Sequence, residues 1–151
     1  MALFRKAYSV VGVLLVIDLV AQFFLIGAAI FTIFNEASNG SGADKALNDS
    51  GFYLIAHAIN GGVLAVLILV LIGLSVASRY PWRTTGLTAV LFLLLVLQSV
   101  LARTGIAPVS ALHAVNGLVI LGLAGSLIRS RWAFGVAAAI TAPQPAATNG
   151  G

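Results

Sequence analysis

The chain has 151 residues, 60% hydrophobic and 8% charged, and its eight Lys and Arg against four Asp and Glu give a formal net charge of +4. With a mean hydropathy of +1.08, it carries more apolar surface than a soluble domain of this length buries, which excludes a water-soluble globule. No soluble basic stripe with interleaved aromatics exists, so no nucleic acid partner is expected, and the lack of cysteine excludes disulfides, thiolate metal sites and covalently attached c-type haem.

Four stretches nearly free of charge, residues 7–34, 52–78, 84–102 and 109–128, each reach the roughly 18–20 residues that cross a bilayer as a helix. The first follows Arg5-Lys6 in the manner of a signal peptide, but its apolar run is too long for an h-region and predicts a retained helix. Within it lies Asp18, the one acidic residue of any span, whose charged form is costly at that depth. Residues 35–50 mix Gly, Ser, Asn and Asp and predict an exposed, flexible connection with little structure. Its sequons at Asn39 and Asn48 matter only in a glycosylating pathway. The turn Arg79-Tyr80-Pro81-Trp82-Arg83 reads as an aromatic anchor at the headgroups. Residues 132–151 form a tail, expected to be disordered from Thr141 onward.

Arg5, Lys6, Arg79, Arg83, Arg129 and Arg131 fall on one side of these spans, against Lys45 and Arg103 on the other, which predicts both termini in the cytoplasm. The expected fold is all-α: an integral membrane, up-down-up-down four-helix bundle over residues 1–131, built as a pseudo-repeat of two helical hairpins. In that arrangement the second and fourth helices run the same way and lie diagonally across the core.

The chain's only two histidines open the same phrase, His57-Ala58-Ile59-Asn60-Gly61 and His113-Ala114-Val115-Asn116-Gly117. Each is expected about 8–9 Å below the exterior surface on parallel helices, so the two imidazoles can approach one axis from opposite sides. Gly61 and Gly117 follow one turn later on the same face, and with Ala58, Gly62 and Ala114 they leave flat clearance beside each ring. These are the requirements of a porphyrin held by two axial histidines between apolar walls. The same small residues also suit plain helix packing, with His and Asn bonding between helices. Asn60 and Asn116 fit hydrogen bonding better than ligation, because membrane helices use amides to hold neighbours. Gln22 and Gln98, on the odd-numbered helices, are candidates either to touch a ligand edge or to bond between helices. Arg103 can pair with propionates or remain a solvated loop base.

Gln22-Phe23-Phe24-Leu25-Ile26-Gly27 followed by the His57 phrase, then Gln98 followed by His113, resembles the four-helix haem-binding half-bundle of haem A synthases. It also resembles small uncharacterised actinobacterial-type four-helix membrane proteins with alternating Gln and His helices. The resemblance covers roughly residues 8–128 and implies a b-type haem held near the exterior face by His57 and His113. The chain departs from haem A synthases in having one bundle rather than two, no exterior cysteine pair and no glutamate near His57, so haem A synthesis by this chain alone is not implied.

The expectation is therefore a small b-type cytochrome or haem-binding subunit of a bacterial plasma membrane, with one haem b per chain, in electron transfer or haem handling. Its expected partners are the lipid bilayer and either a larger membrane redox complex or further copies of itself. Two histidines without nearby carboxylates cannot complete a tetrahedral zinc site, and no nucleophile–base arrangement, Walker loop or dinucleotide fingerprint is present, which speaks against an enzyme. The alternatives are a structural or accessory membrane protein without cofactor, and a small transporter subunit using Asp18.

Overall fold

The computed structural model describes residues 1–134, so the order of the tail from Thr141 lies outside the described residues. Four helices follow in order: α1 (Ala2–Ser38), α2 (Ala43–Ala77), α3 (Trp82–Leu101) and α4 (Ala107–Ser130). All four are long and apolar enough to cross a membrane. Hydrocarbon offers no partner to a free backbone N–H or C=O, so a segment of this composition must close its hydrogen bonds within itself, and the helix does so.

Short turns make the four helices an up-down-up-down bundle. Each helix packs against its two neighbours around the ring, while among the described residues the backbones of the diagonal pairs α1/α3 and α2/α4 stay apart and only side chains reach across. The helices are apolar on all sides because lipid solvates the outside: Phe24, Val66, Leu93 and Leu118 all face outward. The chain is thus an integral membrane four-helix protein.

The connection expected over residues 35–50 is a correction. Helix covers all of it except Asn39–Gly42, where Gly40 takes the left-handed φ of +76° that a tight reversal needs. The polar composition marks a helical tip standing clear of the membrane. Ser38 lies 16 residues beyond Gln22, whereas Leu101 lies three beyond Gln98, so the α1–α2 hairpin overhangs α3–α4 by about 20 Å. Lys45 joins Glu36 and Asp49 at this tip, an exposed cluster worth little in stability.

The internal repeat extends through the core. Leu15 and Leu19 of α1 are matched by Leu91 and Leu95 of α3 at a constant offset of 76 residues, and all four are buried. Leu64, Ile68 and Leu71 of α2 are matched by Ile120, Ala124 and Leu127 of α4 at an offset of 56, and again all are buried. Two copies of one hairpin therefore supply the interior layers, which turns the repeated histidine phrase into a property of the whole bundle.

The opposite, basic end is closed by polar side chains. The Tyr8 hydroxyl meets Thr88 Oγ1 at 3.0 Å, and Ser75 and Thr85 pair at 2.6 Å. Tyr80, expected to face the headgroups with its turn, packs edge-on against Tyr8 at 5.2 Å, while Trp82 stays 86% exposed as an anchor. Here α1 and α4 approach so closely that a Cβ at Gly12 would stand 2.6 Å from Ile128 Cγ1. Gly12→Ala is expected to destabilise the bundle by about 1–3 kcal/mol in detergent unfolding, as overpacking does. Adding Ile128→Ala should recover part of that loss as a favourable coupling in the double-mutant cycle; strict additivity would show that the two residues do not meet.

Candidate functional site

Each histidine is set by a short ladder between the two helices of its own hairpin. His57 Nδ1 lies 3.3 Å from the Gln22 carbonyl and His113 Nδ1 lies 2.9 Å from the Gln98 carbonyl. A carbonyl can only accept, so Nδ1 carries the proton in both rings and Nε2 of a neutral ring holds the lone pair. Neither Nε2 has a hydrogen-bond partner among the described residues.

One turn along, each asparagine repeats the pattern. Asn60 Nδ2 donates to the Asp18 carbonyl at 3.3 Å and Asn116 Nδ2 donates to the Leu94 carbonyl at 2.9 Å. Asp18 and Leu94 each stand four residues before the glutamine of their helix, so the two hairpins carry equivalent rungs. The glutamine side chains complete them differently: Gln22 Nε2 donates to the His57 carbonyl at 3.1 Å, whereas Gln98 Oε1 accepts from Asn116 Nδ2 at 2.6 Å.

Each glycine faces the glutamine of its hairpin. A Cβ at Gly61 would stand 3.7 Å from Gln22 Nε2, and one at Gly117 would stand 3.4 Å from Gln98 Nε2 and 3.3 Å from the Phe23 ring. Gly117 is the tighter of the two positions.

Across the diagonal, the ladders bring the two imidazoles close together, with ring centres 6.1 Å apart and planes inclined by 55°. Around them lies a cleft of about 390 Å³, within the range of small-molecule and cofactor sites. Leu19, Phe23, Leu64, Leu95 and Ile120 form its apolar walls, joined by Ile26 and Ile30 from the upper part of α1.

The predicted residues divide on this geometry. His57, His113, Gly61, Gly117, Gln22, Gln98 and Arg103 line the cleft together with Ala58 and Ala114, while Gly62 does not. Asn60 and Asn116 are turned to helix backbones instead. The glutamine amides, left open between ligand contact and interhelical bonding, make interhelical bonds at the edge of the cleft. Arg103, just past α3, is exposed at the cleft margin. Asp18 offers its backbone carbonyl to Asn60, and its buried Oδ2 has no partner among the described residues. Sequence reasoning missed the two carbonyl acceptors, whose only signal is that a Gln helix precedes each His helix, with Gln22 35 residues before His57 and Gln98 15 before His113, and the wall residues, which carry no signal in a uniformly apolar helix.

A family of unknown function (DUF6220) matches residues 46–105. The match spans α2 and α3 and includes His57 and Gln98, but stops short of His113. No curated protein and no solved structure matches the chain.

Because Asn116 is buried and makes two bonds where Asn60 makes one longer bond, Asn116→Leu is expected to cost about 1.5 kcal/mol and Asn60→Leu about half that. Unfolding in detergent measures both, and a larger loss at Asn60 would contradict the ladder as drawn.

Proposed function

We propose that the cleft holds one b-type haem per chain, with His57 and His113 as its two axial ligands, and that the protein works in electron transfer or haem handling. The supporting observation is the spacing of the imidazoles. A metal–imidazole bond is about 2 Å and a ring nitrogen lies about 1.2 Å from its ring centre, so two rings ligating one ion from opposite sides have centres about 6.4 Å apart. The observed separation is 6.1 Å, with both free nitrogens on the sides of the rings away from the helix carbonyls. Rotation about the ligand axis leaves the mutual inclination of the rings free.

The donor set favours a macrocycle over a bare ion. Among the described residues no group of three or more His, Cys, Asp or Glu converges on one point, and a porphyrin brings its own equatorial nitrogens. Bound there, haem supplies one-electron chemistry. The chain's residues hold the imidazoles as Nδ1–H tautomers through the Gln22 and Gln98 carbonyls, which raises the basicity of Nε2. Leu19, Phe23, Leu95 and Ile120 would keep water from the group, and Arg103, the cation lining the cleft, would pair with its carboxylates.

The excess of basic residues at the other end supports both termini on the cytoplasmic side of the membrane, which we take to be a bacterial plasma membrane. A larger membrane redox complex or a second copy would complete the electron path.

The reduced-minus-oxidised spectrum of the detergent-purified protein, with a pyridine haemochrome assay, tests the proposal. About one haem b per chain is expected, and His57→Ala or His113→Ala should each abolish the low-spin spectrum while the bundle stays inserted. A folded protein without a Soret band, or unchanged spectra in both variants, would overturn it and leave the ladders as helix-packing devices.

A further inference from the structure

At the end of the bundle where α1 begins and α4 ends, a second cleft of about 560 Å³ lies among Arg5, Lys6, Tyr80, Arg131 and Trp132. The Arg5 and Arg131 guanidiniums both sit over the Tyr80 ring, at 5.6 and 5.3 Å from its centre. Two like charges on one ring repel each other, and an anion between them relieves that repulsion. Yet the chain's four acidic residues are Asp18, Glu36, Asp44 and Asp49, and the nearest in sequence to Arg5 stands about 20 Å further along α1. The tyrosine itself does not balance them: burial raises its phenol above the ordinary value, against the lowering effect of both guanidiniums, so it stays neutral.

Arg131 is anchored in this arrangement. Its Nη2 donates to Thr84 Oγ1 at 2.6 Å and its carbonyl accepts from Ser9 Oγ at 3.2 Å, while its buried Nε has no hydrogen-bond partner among the described residues. Beside it, Trp132 and Phe134 pack with ring centres 5.3 Å apart and planes inclined by 55°, and both are about half exposed, as aromatic residues at headgroup depth are.

We infer that this cleft is a binding site for the phosphate of an anionic phospholipid headgroup, held by Arg5, Lys6 and Arg131, with its acyl chains in the surrounding bilayer. The missing negative charge, the fixed guanidinium and the interfacial aromatics all meet that ligand's chemistry. Arg79, Arg83 and Arg129 are basic residues of the same end that do not line the cleft, and they separate a built site from a diffuse positive surface.

Trp132 reports on the site once Trp82→Phe removes the other tryptophan. The full chain in neutral detergent is titrated with phosphatidylglycerol, phosphatidylcholine or inorganic phosphate while Trp132 fluorescence is read. Saturable binding of phosphatidylglycerol is expected, weakened about five- to tenfold by Arg5→Gln or Lys6→Gln and less than about twofold by Arg83→Gln or Arg129→Gln. Arg5 and Lys6 are exposed in the first turn of α1, so both variants should keep the parent's melting temperature. Equal losses in all four variants would mean diffuse attraction and overturn the site. Equal binding of phosphatidylcholine, or no saturable change with phosphatidylglycerol, would overturn it as well. Inorganic phosphate alone giving the full change at the same concentration would overturn the lipid as its source.

Discussion

Each imidazole is tied to a backbone carbonyl of the preceding helix, and this one bond sets most of what surrounds it. The Gln22 and Gln98 carbonyls lie within helices and already accept an N–H from four residues on; the imidazole takes their second lone pair. A bond of that kind fixes three things together: the tautomer, the direction of Nε2, and the register of α1 on α2 or of α3 on α4. The asparagine rung, one turn further on, repeats the same register, so sliding either hairpin by one residue would break two bonds. Once both hairpins are locked, packing them across the shared layers of Leu, Ile and Ala leaves the histidines close together on the diagonal, where the helix backbones stay apart. Glycine at position 117 follows from the same constraint, because a Cβ there would crowd Phe23 and the Gln98 amide, whereas one at position 61 would make only ordinary contact with the Gln22 amide.

The four spans, the diagonal placement of α2 and α4 and the pairing of His57 with His113 were legible because their signals are local: uninterrupted apolar length, short turns and a repeated ionisable phrase. The glutamine helices were legible as an alternation but not as a chemistry. The atom that matters at Gln22 and Gln98 is the main-chain oxygen, which every residue carries, so the amide drew attention to the right place for an incomplete reason. Asn60 and Asn116, candidates for the cofactor site with hydrogen bonding preferred, bond to helix carbonyls and do not line the cleft. Phe23, Leu95 and Ile120 could not be singled out, since a helix bathed in lipid has no polar face to give its apolar residues a phase. The segment from 35 to 50 misled because polar composition normally marks a loop; here it marks helix outside the membrane, and only Gly40 and its neighbours break the helix.

Symmetry makes the departures from it informative. Asp18 occupies the place that Leu94 takes in the second hairpin, and both serve through their carbonyls, so the carboxyl is not needed for the rung. Its buried Oδ2 lacks a partner among the described residues, which leaves a polar atom inside the spans without a structural task there.

The second departure concerns the shape of the main cleft. The overhanging α1 carries the apolar wall upward through Ile26 and Ile30, whereas α3 stops at Leu101 and hands over to Ala102 and Arg103. The cleft therefore has a greasy side built by the long hairpin and a single cationic edge built by the short one. A planar, mostly apolar ligand with carboxylates along one edge would gain by placing that edge at Arg103 and would lose by burying it against Ile26 and Ile30, where an unpaired carboxylate is costly. Two equivalent histidines cannot distinguish the orientations of such a ligand; the unequal lengths of the hairpins can. For the proposed ligand, the repeat would make a symmetric grip, and the failure of that repeat above the histidine layer would give the grip a direction.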